Sequence, residues 1–241
     1  IPFCESLCWF CGCTTVITSQ HREGTGYLDY LDREMVLFCE EGIGNRKIVQ
    51  MHLGGGTPTF LKPDEIKRLG SIIHRHFGET TGCEAGVEVD PRRLTKEHVT
   101  ALWEAGFNRA SMGVQDNNAK VQKAVNRIQP MDITHASVEW LRETGFESIN
   151  IDLIYGLPFQ TESSFEKTLD EIIGLSPNRL AVFSYAHVPW IKPAQKILER
   201  DNLPTPETKL NLLKLIIEKL TSEGYVYIGM DHFARPDDEL A

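Results

Sequence analysis

The chain has 241 residues, of which 41% are hydrophobic and 24% are charged, as is ordinary for a soluble globular protein. Its formal net charge of −9 argues against nucleic acid or an anionic membrane surface as the main partner. No apolar run reaches the roughly 18 residues that a membrane-spanning helix needs, so we expect no membrane span.

Strand-like and helix-like segments alternate along the chain. The strand-like runs are 48–53, 86–89, 109–114, 148–154, 179–185 and 225–230, and 1–3 reads as the stub of an earlier strand. Apolar residues at helical spacing separate these runs. Prolines at 63 and 206 predict helix starts, and glycines at 106, 145 and 224 predict helix ends. Such alternation indicates βαβ units and a parallel sheet.

The alternation predicts one α/β domain over residues 1–241. About six repeats favour a partial parallel (β/α)6-type barrel over a doubly wound open sheet, since no Gly-x-Gly-x-x-Gly follows a strand. The chain begins without Met and ends within "RPDDELA", so we expect a fragment truncated at both ends, with a C-terminal domain absent.

Polar or glycine-rich clusters follow the predicted strands. They are "GGGTPT" at 54–59, "EVDP" at 88–91, "GVQD" at 113–116, "DLIYGLP" at 152–158 and "SYAHVP" at 184–189. Any one of them reads as an ordinary turn. Together they favour a functional site at the carboxyl ends of the strands, where barrel enzymes place their active sites.

Four cysteines crowd the segment "CESLCWFCGC", as Cys4-x3-Cys8-x2-Cys11 followed by Cys13. A structural zinc site is one reading, although no second Cys or His pair follows downstream. Disulfides within so tight a loop would be strained, and a reducing, cytoplasmic setting is expected. Three thiolates instead suit a [4Fe–4S] cluster with one iron open to a small molecule.

The cysteine spacing, with Phe10 beside the last ligand, resembles the signature of the radical S-adenosylmethionine superfamily. "GGGTPT" is similar to the glycine motif of that superfamily, in which main-chain groups hold the methionine amino group of the cofactor. The resemblance implies a [4Fe–4S] cluster, S-adenosylmethionine and a partial β/α barrel.

Further stretches resemble one branch, the oxygen-independent coproporphyrinogen III oxidases. They are "FCGC", "VEVDPR", "NRASMGVQD", "VNR", "NIDLIYGLPFQT", "FSYAH" and "GMDHFARPDDELA". This resemblance implies oxidative decarboxylation of two propionates of coproporphyrinogen III to vinyl groups, giving protoporphyrinogen IX for heme synthesis. The alternative is the heme-binding chaperone branch, which shares the three ligands but lacks the cysteine at Cys13 and the "MDHFA" stretch.

The resemblance also implies roles for individual residues. Cys4, Cys8 and Cys11 would ligate the cluster, and Cys13 would be needed for activity without being a ligand. Positions at the first cofactor would be Phe10, Gly55, Gly56, Thr57 and Glu88. Positions around a second S-adenosylmethionine would be Gln115, Arg127, Asp152 and Ala186. The expected partners are the porphyrinogen and an unidentified electron donor and acceptor, and the expected state is a monomer.

The tetra-acidic porphyrinogen requires cations. Arg92, Arg93 and Arg235 lie near motif ends and are candidates, although arginine is common on protein surfaces. His52, His187 and His232 fall on or beside predicted strands, where structural histidines outnumber proton donors. His232, within "MDHFA", is the strongest of these three.

Overall fold

The computed structural model describes residues 1–42, 46–78, 80, 82–200 and 203–241. Its strands are β1 Phe3–Cys4, β2 Val16–Ile17, β3 Gln50–Leu53, β4 Glu84–Val89, β5 Arg109–Gln115, β6 Ser148–Tyr155, β7 Arg179–Ser184, β8 Val226–Gly229 and β9 His232–Ala234. Its helices are α1 Arg22–Glu40, α2 Pro63–Phe77, α3 Lys96–Glu104, α4 Ala119–Ala124, α5 Met131–Thr144, α6 Glu162–Gly174 and α7 Pro206–Ser222. Short 3₁₀ segments cover Pro58–Phe60 and Pro193–Arg200.

The helix boundaries follow the local signals in the sequence. Pro63 and Pro206 open α2 and α7 as predicted, at a position where the missing N–H costs nothing. Thr205 caps α7, because its Oγ1 accepts from the main-chain nitrogen of Thr208 at 3.2 Å. Gly145 follows α5 with φ +107°, a left-handed conformation that glycine adopts without steric cost.

The chain divides into two compact units, which we call unit 1 and unit 2. Unit 1 comprises 1–6, 13–111 and 139–147, and unit 2 comprises 7–12, 112–138 and 148–241. Strand β5 contributes residues to both, because the division falls between Ser111 and Met112. That the whole chain forms one domain remains a prediction.

Unit 1 carries the strand order β3-β4-β5, and β3 runs parallel to β4 in the register His52 to Gly86. Helix α2 turns one apolar stripe inward, and its buried members are Ile66, Leu69, Ile72 and Ile73. Alternate residues of β4 are buried, as expected for a strand with one face on a core. β1 and β2 form a separate parallel pair.

Unit 2 carries the strand order β5-β6-β7-β9-β8. β6 and β7 are parallel, whereas β9 is antiparallel to both β7 and β8. Its core is built from fully buried residues of β6, α6, β7, α7 and β9, including Ile151, Leu169, Leu180, Ile216 and Phe233. The predicted α/β class, with strand–helix alternation and a mostly parallel sheet, is therefore confirmed.

Two strands were absent from the sequence prediction. β2 has only two residues, and β9 forms a hairpin with β8, so the last sheet element is antiparallel where parallel pairing was expected. The hairpin turns at Met230 and Asp231, whose φ angles are +48° and +70°. Two-residue hairpin turns with positive φ usually carry Asn, Asp or Gly, so Asp231 was the one turn signal and Met230 gave none.

No helix within the described ranges is both long enough and apolar enough to cross a bilayer.

Candidate active site

Cys4 in unit 1 is held in place because main-chain hydrogen bonds join the segment of β1 to β2 on one side and to the glycine loop after β3 on the other. The main-chain nitrogen of Val16 donates to Pro2 O at 2.8 Å, and that of Gly56 donates to Ile1 O at 2.8 Å. This arrangement brings the Sγ of Cys4 to 3.2 Å from Oγ1 of Thr57. A predicted cluster ligand and a predicted cofactor residue, 53 positions apart, are therefore in contact.

The glycine loop after β3 packs directly on the backbone of β1. A Cβ on Gly56 would stand 2.7 Å from the carbonyl carbon and oxygen of Pro2, and one on Gly55 would stand 2.8 Å from Ile1 O. Gly55 also has φ +120°. The sequence suggested that these glycines allow a cofactor to approach; within unit 1 they allow one chain segment to approach another.

Glu88, near the end of β4, is oriented by two groups of unit 1. Its Oε2 accepts from the main-chain nitrogen of Gly55 at 3.2 Å, and its Oε1 lies 3.3 Å from Nε2 of His52. The Glu88 side chain nevertheless remains 45% exposed. The carboxylate is thus held beside the glycine loop and is still accessible to a ligand.

The candidate cations Arg92 and Arg93 have acidic partners within unit 1. Arg92 donates from Nε and Nη2 to the carboxylate of Asp90, at distances from 2.6 to 3.2 Å. Arg93 pairs with Glu5 at 2.6 Å and keeps 54% of its side chain exposed. Both arginines line a small cavity that also includes Cys4.

The loop of Cys8 to Cys11 is held by side chains of unit 2. Asn126 donates from Nδ2 to Leu7 O at 2.8 Å, and Gln195 donates from Nε2 to Phe10 O at 2.9 Å. The main-chain nitrogen of Cys11 donates to Cys8 O at 3.0 Å. Trp9 and Phe10 pack on an apolar cluster of Val121, Val125, Leu157, Tyr185 and Leu198.

Arg127 connects this loop to strand β5. It is only 7% exposed, and its Nη1 donates to the Sγ of Cys8 at 3.7 Å while its Nη2 donates to Gly113 O at 2.6 Å. A Cβ on Gly113 would stand 3.2 Å from Nη2 of Arg127 and 2.7 Å from Nε2 of Gln115. The absent side chain of Gly113 therefore leaves the space in which both polar groups lie.

Gln115 ends β5 in a strained conformation. Its φ is +73°, and the main-chain nitrogen of Asp116 donates to Val114 O at 3.0 Å, which closes a three-residue turn. Turns of this kind with positive φ are rare and strained. The Oε1 of Gln115 is buried and has no hydrogen-bond partner among the residues that the structure describes.

Asp152 and Ala186 belong to neighbouring parallel strands of unit 2 or to the residues just beyond them. Asp152 lies within β6, where its Oδ1 accepts from Nδ2 of Asn150 at 2.6 Å. Ala186 is exposed and follows β7 by two residues. The common role proposed for these two residues with Gln115 and Arg127 stays a prediction.

A chain of polar groups runs from the buried Tyr185, the residue before Ala186, to the exposed Glu199. The hydroxyl of Tyr185 lies 2.9 Å from Nδ1 of His187, whose Nε2 lies 3.2 Å from Oε1 of Glu199. Burial, with a smaller contribution from the negative charge of Glu199, raises the pKa of Tyr185 to about 12.

The structure also reveals a polar network that the sequence analysis missed. The carboxylate of Asp116 is 1% exposed and accepts from Gln160 Nε2 at 2.6 Å, Thr168 Oγ1 at 2.8 Å and the main-chain nitrogen of Asn118 at 2.7 Å. Burial raises the pKa of Asp116. The strand-end position of Asp116 in "GVQD" was the available signal, but its partners lie 44 and 52 residues further on.

The predicted site residues thus form one group in each unit. Unit 1 brings Cys4 together with the glycine loop, and Glu88 lies against the same loop. Unit 2 brings Cys8 together with Arg127 and, through Gly113, with Gln115. Cys13 belongs to unit 1 and is exposed, whereas Cys11 belongs to unit 2. Convergence of the three sulfurs of Cys4, Cys8 and Cys11 remains a prediction.

Comparison with protein-family models gives one match that decides the family. The model of the radical SAM superfamily, in which SAM denotes S-adenosylmethionine, matches residues 1–172. The chain belongs to the radical SAM superfamily. The family resemblance carried by the cysteine and glycine motifs is confirmed.

Curated relatives in this superfamily match the chain from end to end. The oxygen-independent coproporphyrinogen III oxidase of Escherichia coli K12 is 48% identical over 241 residues, which are 100% of this chain and 52% of that protein. The protein of the same name from Helicobacter pylori J99 is 45% identical, again over 100% of this chain and 53% of its own length. The chain therefore spans about half the length of the curated relatives it matches.

Solved structures agree with these matches. The Escherichia coli coproporphyrinogen III oxidase, described as a radical SAM enzyme, superimposes with a TM-score of 0.95 at 48% identity, covering 99% of this chain and 55% of that chain. Methylornithine synthase superimposes with a TM-score of 0.56 at 14% identity, covering 90% of this chain and 60% of that chain. The second likeness shows the fold alone.

Membership of the superfamily implies a [4Fe–4S] cluster and SAM, and the donor groups present fit both. The three predicted ligands are cysteines, and cysteine thiolate is the ligand that iron–sulfur clusters take. The buried Oε1 of Gln115 is an acceptor that lacks a donor among the described residues, as a ligand-binding group would. No three His, Cys, Asp or Glu side chains in the described ranges are placed to hold a single metal ion.

Proposed function

We propose that the protein to which this chain belongs converts coproporphyrinogen III to protoporphyrinogen IX by oxidative decarboxylation of two propionates to vinyl groups, in heme biosynthesis. The observation that carries this proposal is the match to the Escherichia coli oxidase, at 48% identity and a TM-score of 0.95 over 99% of the chain. The distant superfamily members, near 14–16% identity, support only the shared fold.

Cys4, Cys8 and Cys11 are the proposed cluster ligands. When bound, the cluster and SAM supply a 5′-deoxyadenosyl radical, which is chemistry that proteins delegate to cofactors. The chain's own contribution is to hold the thiols in place. Thr57 contacts the sulfur of Cys4, and Arg127 donates to the sulfur of Cys8, so two of the three ligands already carry a polar neighbour.

The first SAM is proposed to lie against Phe10, Gly55, Gly56, Thr57 and Glu88. Support comes from the glycine loop, which holds Thr57 beside Cys4 and carries the main-chain nitrogen of Gly55 to Glu88. The half-exposed carboxylate of Glu88 can accept hydrogen bonds from hydroxyl groups of a ligand.

A second SAM is proposed at Gln115, Arg127, Asp152 and Ala186. Arg127 suits a carboxylate because a guanidinium presents donors in a rigid fork. Gln115 offers the buried acceptor described above. Asp152 supplies an acceptor for an amine or hydroxyl, and Ala186 can supply only main-chain groups and shape.

Cys13 is proposed to serve the reaction without ligating the cluster, and its exposure leaves the thiol accessible. Among the candidate cations, Arg93 is more exposed than Arg92 and is the better substrate contact. Arg235 donates to Glu223 O at 3.1 Å and lies over the ring of Tyr225, which favours a structural role. An unidentified electron donor and acceptor, a cytoplasmic location and a monomeric state complete the proposal.

The deciding experiment is product analysis of the full-length protein. The protein is reconstituted anaerobically with iron and sulfide, supplied with SAM, a reductant and coproporphyrinogen III, and its products are separated chromatographically. Protoporphyrinogen IX is expected, with the monovinyl intermediate at early times. A matched sample of Cys8→Ser should yield neither product.

Two results would overturn the proposal. Transfer of bound heme to an acceptor protein without decarboxylation would instead indicate a heme chaperone. Failure to assemble a cluster, with stoichiometric zinc retained by the wild type, would indicate a structural metal site.

A further inference from the structure

We infer that Asp116 is a positioning residue that holds the strained turn at Gln115 and so presents Gln115, together with Arg127, to a ligand. The inference rests on the proposed function in naming SAM as that ligand. It adds a residue that does not itself contact the ligand.

The conformation of Gln115 needs an external cause. A glutamine at φ +73° costs free energy, because residues with a Cβ rarely adopt this backbone conformation. The single hydrogen bond that closes the turn, from the nitrogen of Asp116 to Val114 O, does not select this strained form over an extended strand end. The surrounding residues must therefore fix the turn.

Asp116 supplies that constraint through every polar atom it has. Its Oδ1 accepts from Thr168 and from the nitrogen of Asn118, its Oδ2 accepts from Gln160, and its carbonyl oxygen accepts from Nε2 of Gln122 at 2.9 Å. These partners come from α4 and its N-cap residue, from α6, and from the segment between β6 and α6. The residue that follows Gln115 is thus anchored to three separate elements.

The orientation of the Gln160 side-chain amide is also fixed by its other hydrogen bonds. Gln160 donates from Nε2 to Ile154 O at 2.8 Å and accepts at Oε1 from the nitrogen of Leu157 at 2.8 Å. Its amide cannot be inverted without losing both bonds, so it always presents a donor to Asp116. Asp116 must therefore present an acceptor, which a carboxylate does on both oxygens.

The turn that results serves a ligand rather than the fold. It places the amide of Gln115 over Gly113, where the guanidinium of Arg127 also lies, and a Cβ on Gly113 would meet both groups. The Oε1 of Gln115 gains no hydrogen bond from the residues that the structure describes. The strained turn and the unsatisfied buried acceptor both destabilise the protein when no ligand is bound. A ligand that donates a hydrogen bond to this acceptor would offset that cost.

Three variants of the full-length protein separate positioning from plain stability. Asp116→Asn keeps the size but sets an amide donor against the donor of Gln160. Gln115→Asn shortens the side chain but tolerates positive φ, so the turn remains. Thr134→Val is the control, because it removes a buried hydroxyl of unit 2 that bonds Gln129 at 3.0 Å and does not touch the turn.

The measurements are amide hydrogen exchange of residues 112–118 and SAM binding by titration calorimetry, anaerobically and with the cluster oxidised so that SAM stays intact. Asp116→Asn should accelerate exchange at least about tenfold and weaken one equivalent of SAM at least about tenfold. Gln115→Asn should weaken the same equivalent without accelerating exchange. Thr134→Val should change neither quantity.

Two outcomes would overturn the inference: exchange in Asp116→Asn equal to wild type, or accelerated exchange with unchanged SAM affinity. If the wild type binds one equivalent only, the proposal of a second SAM fails separately. The inference then stands if Asp116→Asn weakens that equivalent, and it fails if the affinity is unchanged.

Discussion

Arg127 Nη1 donates a hydrogen bond to the Sγ of Cys8 at 3.7 Å, while Nη2 of the same guanidinium donates to Gly113 O at 2.6 Å. A single buried side chain therefore ties a proposed cluster ligand to the carboxyl-terminal half of strand β5. The planar fork of arginine makes both bonds at once, and a lysine ammonium, as a point charge on a flexible stem, would not.

We expect Arg127→Lys to lower the reduction potential of the reconstituted cluster. Hydrogen bonds to cluster sulfurs stabilise the more negative reduced state, so losing one makes reduction harder. A potentiometric titration followed by electron paramagnetic resonance gives the potential. Arg75→Lys, at an exposed arginine paired with Asp32, is the control and should leave the potential unchanged. Equal potentials in Arg127→Lys and wild type would mean that the hydrogen bond does not tune the cluster.

The cysteines should separate into ligands and non-ligands. Serine at Cys4, Cys8 or Cys11 should abolish most of the bound iron and sulfide, because three thiolates are the whole protein ligand set. Cys13→Ser should keep the iron and the visible absorption but lose most product formation. Cys39→Ser, whose thiol donates to His76 O at 3.6 Å in unit 1, should keep both. Full iron content in Cys8→Ser would contradict the ligand assignment.

Local signals in the sequence were sufficient for much of the fold. Pro63 and Pro206 mark helix starts in the structure because the penalty for a missing N–H is a property of one residue. The cysteine and glycine motifs likewise predicted the superfamily, since each is contiguous. The contact between Cys4 and Thr57 agrees with the predicted site at the carboxyl ends of the strands, although the sequence does not specify this pair.

Features that depend on distant residues were not predictable in this way. The turn at Gln115 is held by Asp116, whose partners Gln160 and Thr168 lie on a later segment and helix. The sequence near residue 115 contains no pattern that predicts the hydrogen bonds from Gln160 and Thr168 to Asp116. The sequence analysis explains Gly56 by close approach of a cofactor. The sequence does not show that the backbone of Pro2 lies against this glycine.

Gly56→Ala should therefore destabilise the protein even without any cofactor. The new Cβ would stand 2.7 Å from two backbone atoms of Pro2, which cannot rotate away as a flexible side chain would. Overpacking of this kind costs about 1–3 kcal/mol. Gly26→Ala is the matched control, in helix α1 with nothing within 4 Å of its Cβ, and should gain about 0.5–1 kcal/mol. Urea unfolding of the apoprotein measures both, and a neutral Gly56→Ala would refute the packing argument.

The phenol of Tyr185 should titrate at about pH 12, well above its usual range near 10. Burial is the main cause, and the negative charge of Glu199 adds to it. The ultraviolet phenolate signal of wild type minus Tyr185→Phe isolates this residue from the other tyrosines. Glu199→Gln should lower the pKa of Tyr185, whereas Glu218→Gln, on the exposed face of α7, should not.

The same raised pKa makes a stability prediction with a defined sign. The folded state holds the Tyr185 proton more tightly than the unfolded chain, so this contribution to stability is complete below pH 10 and is lost as the pH rises to about 12. The difference in free energy of unfolding between wild type and Tyr185→Phe should accordingly shrink across that interval, and it should be flat from pH 7 to pH 9. A difference that grew with rising pH would mean that the phenolate, rather than the phenol, is the form favoured by the fold.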